Sequence, residues 1–109
     1  MTRVLLLSLG LALLATAPPA AAGEAVSRGQ ALAEKLCATC HLNKDQGEKS
    51  GPDGVPGFYA VARRPGQSIE GIMSWLRSVP PMMPNHKLSQ DEMEVLAQFI
   101  LSLADAPSP

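Results

Sequence analysis

The chain has 109 residues, 46% hydrophobic and 4% aromatic, and its 9 Lys and Arg against 10 Asp and Glu give a formal net charge of −1. That length accommodates one domain. The sequence carries no basic stripe, no internal repeat and no disordered low-complexity block, which excludes a nucleic-acid-binding surface, a solenoid and an unfolded chain as readings.

Residues 1–22 read as a secretory signal peptide. Arg3 supplies a positive start, Val4 to Ala17 is apolar and uncharged, and Ala20-Ala21-Ala22 fits the small-x-small cleavage rule. The apolar run is about 14 residues, short of the roughly 20 needed to span a bilayer. The expected product is an exported chain that does not span the membrane after cleavage. Cleavage after Ala22 leaves residues 23–109 as one domain of 87 residues, with 8 basic and 10 acidic side chains and a charge of −2. A hydrophobic core alone is marginal at that size, and such domains commonly lean on a disulfide, a metal or a cofactor.

A first helix is expected from about Ser27, as N-cap, through Leu36. It runs into Cys37-Ala38-Thr39-Cys40-His41. This is C-x-x-C-H, the pattern at which haem is attached covalently. Two residues between the cysteines let one helical turn offer both thiols to the two porphyrin vinyl groups, and His41 is carried under the iron. Three other readings compete. A thioredoxin-like redox pair needs a βαβ context, and no strand-rich pattern is present. A structural zinc site wants four ligands, but only His86 remains as a further histidine and there is no third cysteine. A plain disulfide would close a very small loop.

Residues 42–57, with Gly47, Gly51, Pro52, Gly54, Pro56 and Gly57, read as a loop. Phe58 to Arg64 forms a short helix stopped by Pro65-Gly66. Ser68 to Ser78 forms another, with Ile69, Ile72, Met73 and Leu76 at helical spacing. Val79-Pro80-Pro81-Met82-Met83-Pro84 is expected to be extended, because prolines are excluded from helix interiors. The last helix opens on Ser89-Gln90-Asp91-Glu92, a capping box. Met93, Leu96, Ala97, Ile100 and Leu103 make its apolar face, Glu92 and Glu94 serve capping and solubility, and Pro107 lies beyond its end. The pattern is all-α.

With the pentapeptide at the end of the first helix and a Met-Pro loop before the last, the chain resembles the class I cytochrome c family. The likeness is to its small bacterial monohaem members, whose last third reads Pro-Pro-Met-Pro, Leu-Ser, two acids, then a helix. The resemblance implies three to four short helices around a covalently attached haem c, matured outside the cytoplasm. It gives Gly29, eight residues before Cys37, the role of letting the first and last helices cross closely, against Phe99 and Leu96. One position departs: the family usually has an aromatic four residues before the first cysteine, and here that residue is Ala33, with Leu32 and Leu36 left to compensate.

The resemblance also implies a site. His41 would be one axial ligand of the iron. In the family a Met directly before a Pro is the sixth ligand, and Met83-Pro84 followed by Leu88-Ser89 fits that register, with Met82 as the alternative. His86, in a polar stretch, is a rival ligand that reads more readily as a solvated loop residue. The ligand histidine donates its other ring N–H to a proline carbonyl. Pro56, followed two residues later by the apolar Phe58, fits that role, while Gly51-Pro52 lies at the more usual distance. Trp75 either reaches a haem propionate or packs in the core. Arg63, Arg64 and Arg77 either neutralise propionates or are solvated charges.

The functional expectation is a periplasmic electron-transfer protein with His/Met ligation, cycling Fe(III)/Fe(II) and acting on no substrate of its own. Its partners would be redox proteins: a dehydrogenase, an oxidase or another cytochrome. An alternative is the haem-bearing relay subunit of a periplasmic dehydrogenase complex. A haem sensor or peroxidase would require that neither Met82 nor Met83 bind iron.

Overall fold

A computed structural model describes Gly10 and residues 19–41 and 54–107. It contains, in order, α1 (Pro19–Leu36), α2 (Phe58–Ala62), α3 (Ile69–Ser78) and α4 (Gln90–Ser102), and none of the described residues forms a strand. The all-α class read from the sequence is the class observed.

Helix α4 is the centre, and α1, α2 and α3 all pack on it. Its start is chemically defined. Ser89 Oγ accepts from the Glu92 amide at 3.1 Å, and Glu92 Oε2 accepts from the Ser89 amide at 2.7 Å, so two amides that the helix cannot pair itself are satisfied. Because α4 is surrounded, it buries more than one stripe: Val95 and Phe99 join Met93, Leu96, Ala97 and Ile100 inside. Phe99 and Leu96 are the largest fully buried side chains, each worth about 1.5–3 kcal/mol relative to exposure.

Helix α1 begins at Pro19, not at Ser27. Proline is favoured at the first helical position and alanine is the best helix former, so Pro19-Ala20-Ala21-Ala22 starts the helix and leaves Ser27 as an exposed interior residue. The apolar stretch of the expected signal peptide lies outside the described residues, apart from Gly10. No described helix is long and apolar enough to cross a membrane.

Further along α1, Gly29 and Ala33 are both buried against α4. At Gly29 the backbones meet so closely that no side chain fits. Ala33 is fully buried in the same core cluster as Phe99, so its small side chain is packed rather than exposed. Leu32 packs against this core, whereas Leu36 turns to the cavity described below.

Helix α3 is capped by Ser68, whose Oγ accepts from the Gly71 amide at 2.9 Å, and it buries Ile72 and Met73. The segment after it is not extended as expected. The Met83 amide donates to the Pro80 carbonyl at 3.1 Å, and Met82 has φ 75°. Proline at the second position and positive φ at the third is the pattern of a type II turn. The prolines exclude a helix but not a turn. Val79 and Lys87 also have positive φ, 45° and 53°, which is costly for a β-branched residue such as Val79. The loop that carries the two methionines is therefore held in a conformation its residues do not favour on their own.

Candidate haem site

Residues 37–41 wind one further turn onto the end of α1. The Cys37 amide donates to Ala33 O at 2.9 Å, the Cys40 amide to Cys37 O at 3.1 Å and the His41 amide to Cys37 O at 2.8 Å. That turn brings Cys37, Cys40 and His41 to one wall of an open cavity of about 1290 Å³. Small-molecule sites typically run to roughly 300–1,000 Å³, so the space suits a large group. Phe58, Ile72, Leu76, Met93, Leu96 and Ile100 make it apolar.

The imidazole of His41 is oriented twice. Its Nδ1–H donates to the Pro56 carbonyl at 2.8 Å. Its ring stacks on Phe58, with centroids 5.0 Å apart and planes 16° from parallel, and Phe58 in turn meets Phe99 edge-on at 6.3 Å. With Nδ1 carrying the proton, Nε2 holds the lone pair, the state in which an imidazole binds a metal. Gly51 and Pro52 lie outside the described residues.

The two cysteines are free thiols, so the pair is not a disulfide. Burial pushes the Cys37 thiol up to about 11. Redox-active C-x-x-C pairs have thiols lowered towards or below neutrality, so this environment is the opposite of theirs. Among the described residues no three His, Cys, Asp or Glu side chains cluster to hold a metal.

Both Met82 and Met83 line the cavity, yet they differ. Met82 is 98% exposed, while Met83 is partly buried. His86 also lines the cavity and is exposed. Trp75 is 56% exposed and lines the cavity, so it is not a core residue. Of the three arginines, Arg64 and Arg77 reach the rim, with Arg77 also donating to Glu70 at 2.9 Å. Arg63 does not line the cavity and grips the chain beyond α4 instead. The contact of Phe58 with the His41 ring was not readable from sequence; the one signal was an apolar residue two places after Pro56.

The cytochrome c family profile matches residues 26–104. The chain belongs to the cytochrome c family. It is 39% identical over 75 residues to cytochrome c-552 of Bradyrhizobium diazoefficiens (strain JCM 10833 / BCRC 13528 / IAM 13628 / NBRC 14792 / USDA 110), an alignment covering 69% of this chain and 71% of the relative. No solved structure gives a significant match. This cytochrome c is accordingly a haem c electron carrier that exchanges electrons with redox partner proteins. The residues present fit the cofactor: two thiols, an imidazole and two thioethers line the same cavity, together with apolar side chains.

Proposed function

We propose that this cytochrome c works in the periplasm and holds one haem through thioethers from Cys37 and Cys40, with His41 and Met83 as axial ligands. The observation that carries the reading is the bond from His41 Nδ1 to the Pro56 carbonyl, which leaves Nε2 as the metal-binding nitrogen in a cavity that Met83 also lines. Bound haem c supplies the Fe(III)/Fe(II) couple. The Pro56 carbonyl strengthens the imidazole as a donor, and Phe58 holds its plane. Phe58, Ile72 and Leu96 give the cavity an apolar lining for the porphyrin. A thioether from Met83 favours the reduced state. Met83 is preferred to Met82 because it is partly buried, whereas Met82, at the third position of the turn, is almost fully exposed. Export is supported by the signal-like residues 1–22.

A second reading, the relay subunit of a dehydrogenase complex, draws on Trp75, Val79 and Met82, which are exposed large apolar side chains at the cavity. Gel filtration and co-purification from the native host separate a free carrier from a subunit.

The test is one pair of optical spectra, oxidised and reduced, on protein matured in a host that attaches haem c, together with extraction in acidified acetone. The expected result is low-spin haem in both states that stays with the chain. Haem that extracts freely, or a high-spin ferric spectrum, overturns the assignment.

A further inference from the structure

Arg63 closes α2 as its C-cap, and its guanidinium reaches across to the chain beyond α4. Nε donates to the Ala104 carbonyl at 3.3 Å and Nη2 to the Ala106 carbonyl at 2.7 Å. The same guanidinium lies over the Tyr59 ring, 5.2 Å from its centre, and the Tyr59 hydroxyl donates to the Pro107 carbonyl at 3.4 Å. Tyr59 of α2 and its C-cap Arg63 thus grip three carbonyls of the segment that follows α4. These are groups that a helix end and its trailing turn leave without backbone partners.

Helix α2 has five residues, too few to hold a helix by itself. Its position rests on what grips it. One end is gripped by Arg63. The other begins at Phe58, which stacks on His41, and the chain just before it offers the Pro56 carbonyl to the same imidazole. Both contacts that orient the His41 ring are therefore attached to a short element whose far end is clasped to the C-terminal segment.

We propose that Arg63 is a positioning residue for the haem ligand: by tying α2 to the carbonyls of Ala104 and Ala106, it sets the His41 ring orientation and the strength of its bond to Pro56, and so the reduction potential. This rests on the reading of His41 as ligand. It also makes residues 104–107 part of the ligand's support although they do not line the cavity. An arginine is required because its planar fork donates to two carbonyls at once, which a lysine ammonium does not reproduce.

The experiment uses the haem-loaded protein with Arg63→Ala, Arg63→Lys and Tyr59→Phe. Ser68→Ala is the control, since it removes the α3 cap and lowers stability without touching α2. The readouts are the midpoint potential and the paramagnetically shifted ring protons of His41 in the ferric state. A loosened Nδ1–H···O bond makes the imidazole a weaker donor. Arg63→Ala is then expected to shift the reduced-to-oxidised ratio at fixed applied potential by about tenfold towards the reduced form, which is 59 mV upward for one electron. Arg63→Lys and Tyr59→Phe shift it less in the same direction, and all three move the His41 resonances while Ser68→Ala moves neither readout. Should Arg63→Ala fail to fold, the Lys and Phe variants carry the test, and an unchanged potential with unchanged His41 shifts in both overturns the proposal. An equal shift in Ser68→Ala overturns it too, because general loosening then suffices. If His41 shows no paramagnetic shift in the wild type, the ligand reading fails first and this proposal with it.

Discussion

Gly29 faces the backbone carbonyl of Val95 with no room between them. A Cβ placed on Gly29 would overlap the Val95 carbonyl oxygen, lie 2.6 Å from its carbon and 2.8 Å from Phe99 Cβ. Two of these three atoms are backbone, so nothing can rotate aside. The crossing of α1 and α4 is set at this point, and the turn bearing Cys37, Cys40 and His41 continues directly from α1. The packing of one glycine thus helps place the attachment residues.

Gly29→Ala is expected to destabilise the haem-loaded protein by about 3 kcal/mol, at the upper end of overpacking costs, reduced by the roughly 0.5–1 kcal/mol that alanine gains within a helix. For a domain of this size that lowers the melting temperature by roughly 10–20 °C. A thermal melt followed by circular dichroism measures it. A variant melting at or above the wild type would show that the helices do not cross this closely.

Cys37→Ala combined with Cys40→Ala removes both attachment points. Small domains of this kind have a total stability of about 5–15 kcal/mol, and here Cys37, Cys40 and His41 line a cavity of about 1290 Å³ beside the core, which the proposed haem would fill. The double variant is expected to bear no haem on a denaturing gel stained for haem peroxidase and to be largely unfolded. A cooperative, native-like melting transition in it would sink the idea that folding depends on the cofactor.

Met83→Ala is expected to abolish the near-infrared sulfur-to-iron band of the ferric protein. It should also lower the potential by on the order of 0.1 V or more, within the roughly 0.8 V that axial ligation spans. Met82→Ala keeps the band, because that side chain is exposed on the turn. The reverse pattern moves the ligand to Met82. A band absent from the wild type, with His86→Ala alone converting the spectrum to high spin, would assign His86 instead.

Ser89→Ala deletes one half of the capping box of α4 and is expected to cost about 1 kcal/mol, whereas Glu92→Gln, which keeps an acceptor for the Ser89 amide, costs a few tenths. Urea unfolding midpoints with unchanged slopes report both. Equal losses in the two variants would mean that the reciprocal bond is not what starts the helix.

What the sequence determined was local. The attachment turn at Cys37–His41 and the capping box at Ser89 act over three or four residues, a distance within which spacing alone settles which groups meet. The stripe of Met93, Leu96, Ala97, Ile100 and Leu103 was readable for the same reason, while Val95 was missed because its burial depends on how many neighbours surround α4. The start of α1 at Pro19 was also local, but Ala20 to Ala22 read as a cleavage site and Ser27 as the N-cap. Only the tertiary structure decided that the His41 ring lies against Phe58 and bonds to Pro56, 15 residues away, and that Arg63 turns from the cavity to Ala104, 41 residues away. It also decided that Met82 is exposed on a left-handed residue while Met83 beside it is partly buried, which depends on the turn between α3 and α4. Such contacts are chosen by packing between elements, and that packing leaves no periodic trace in the chain.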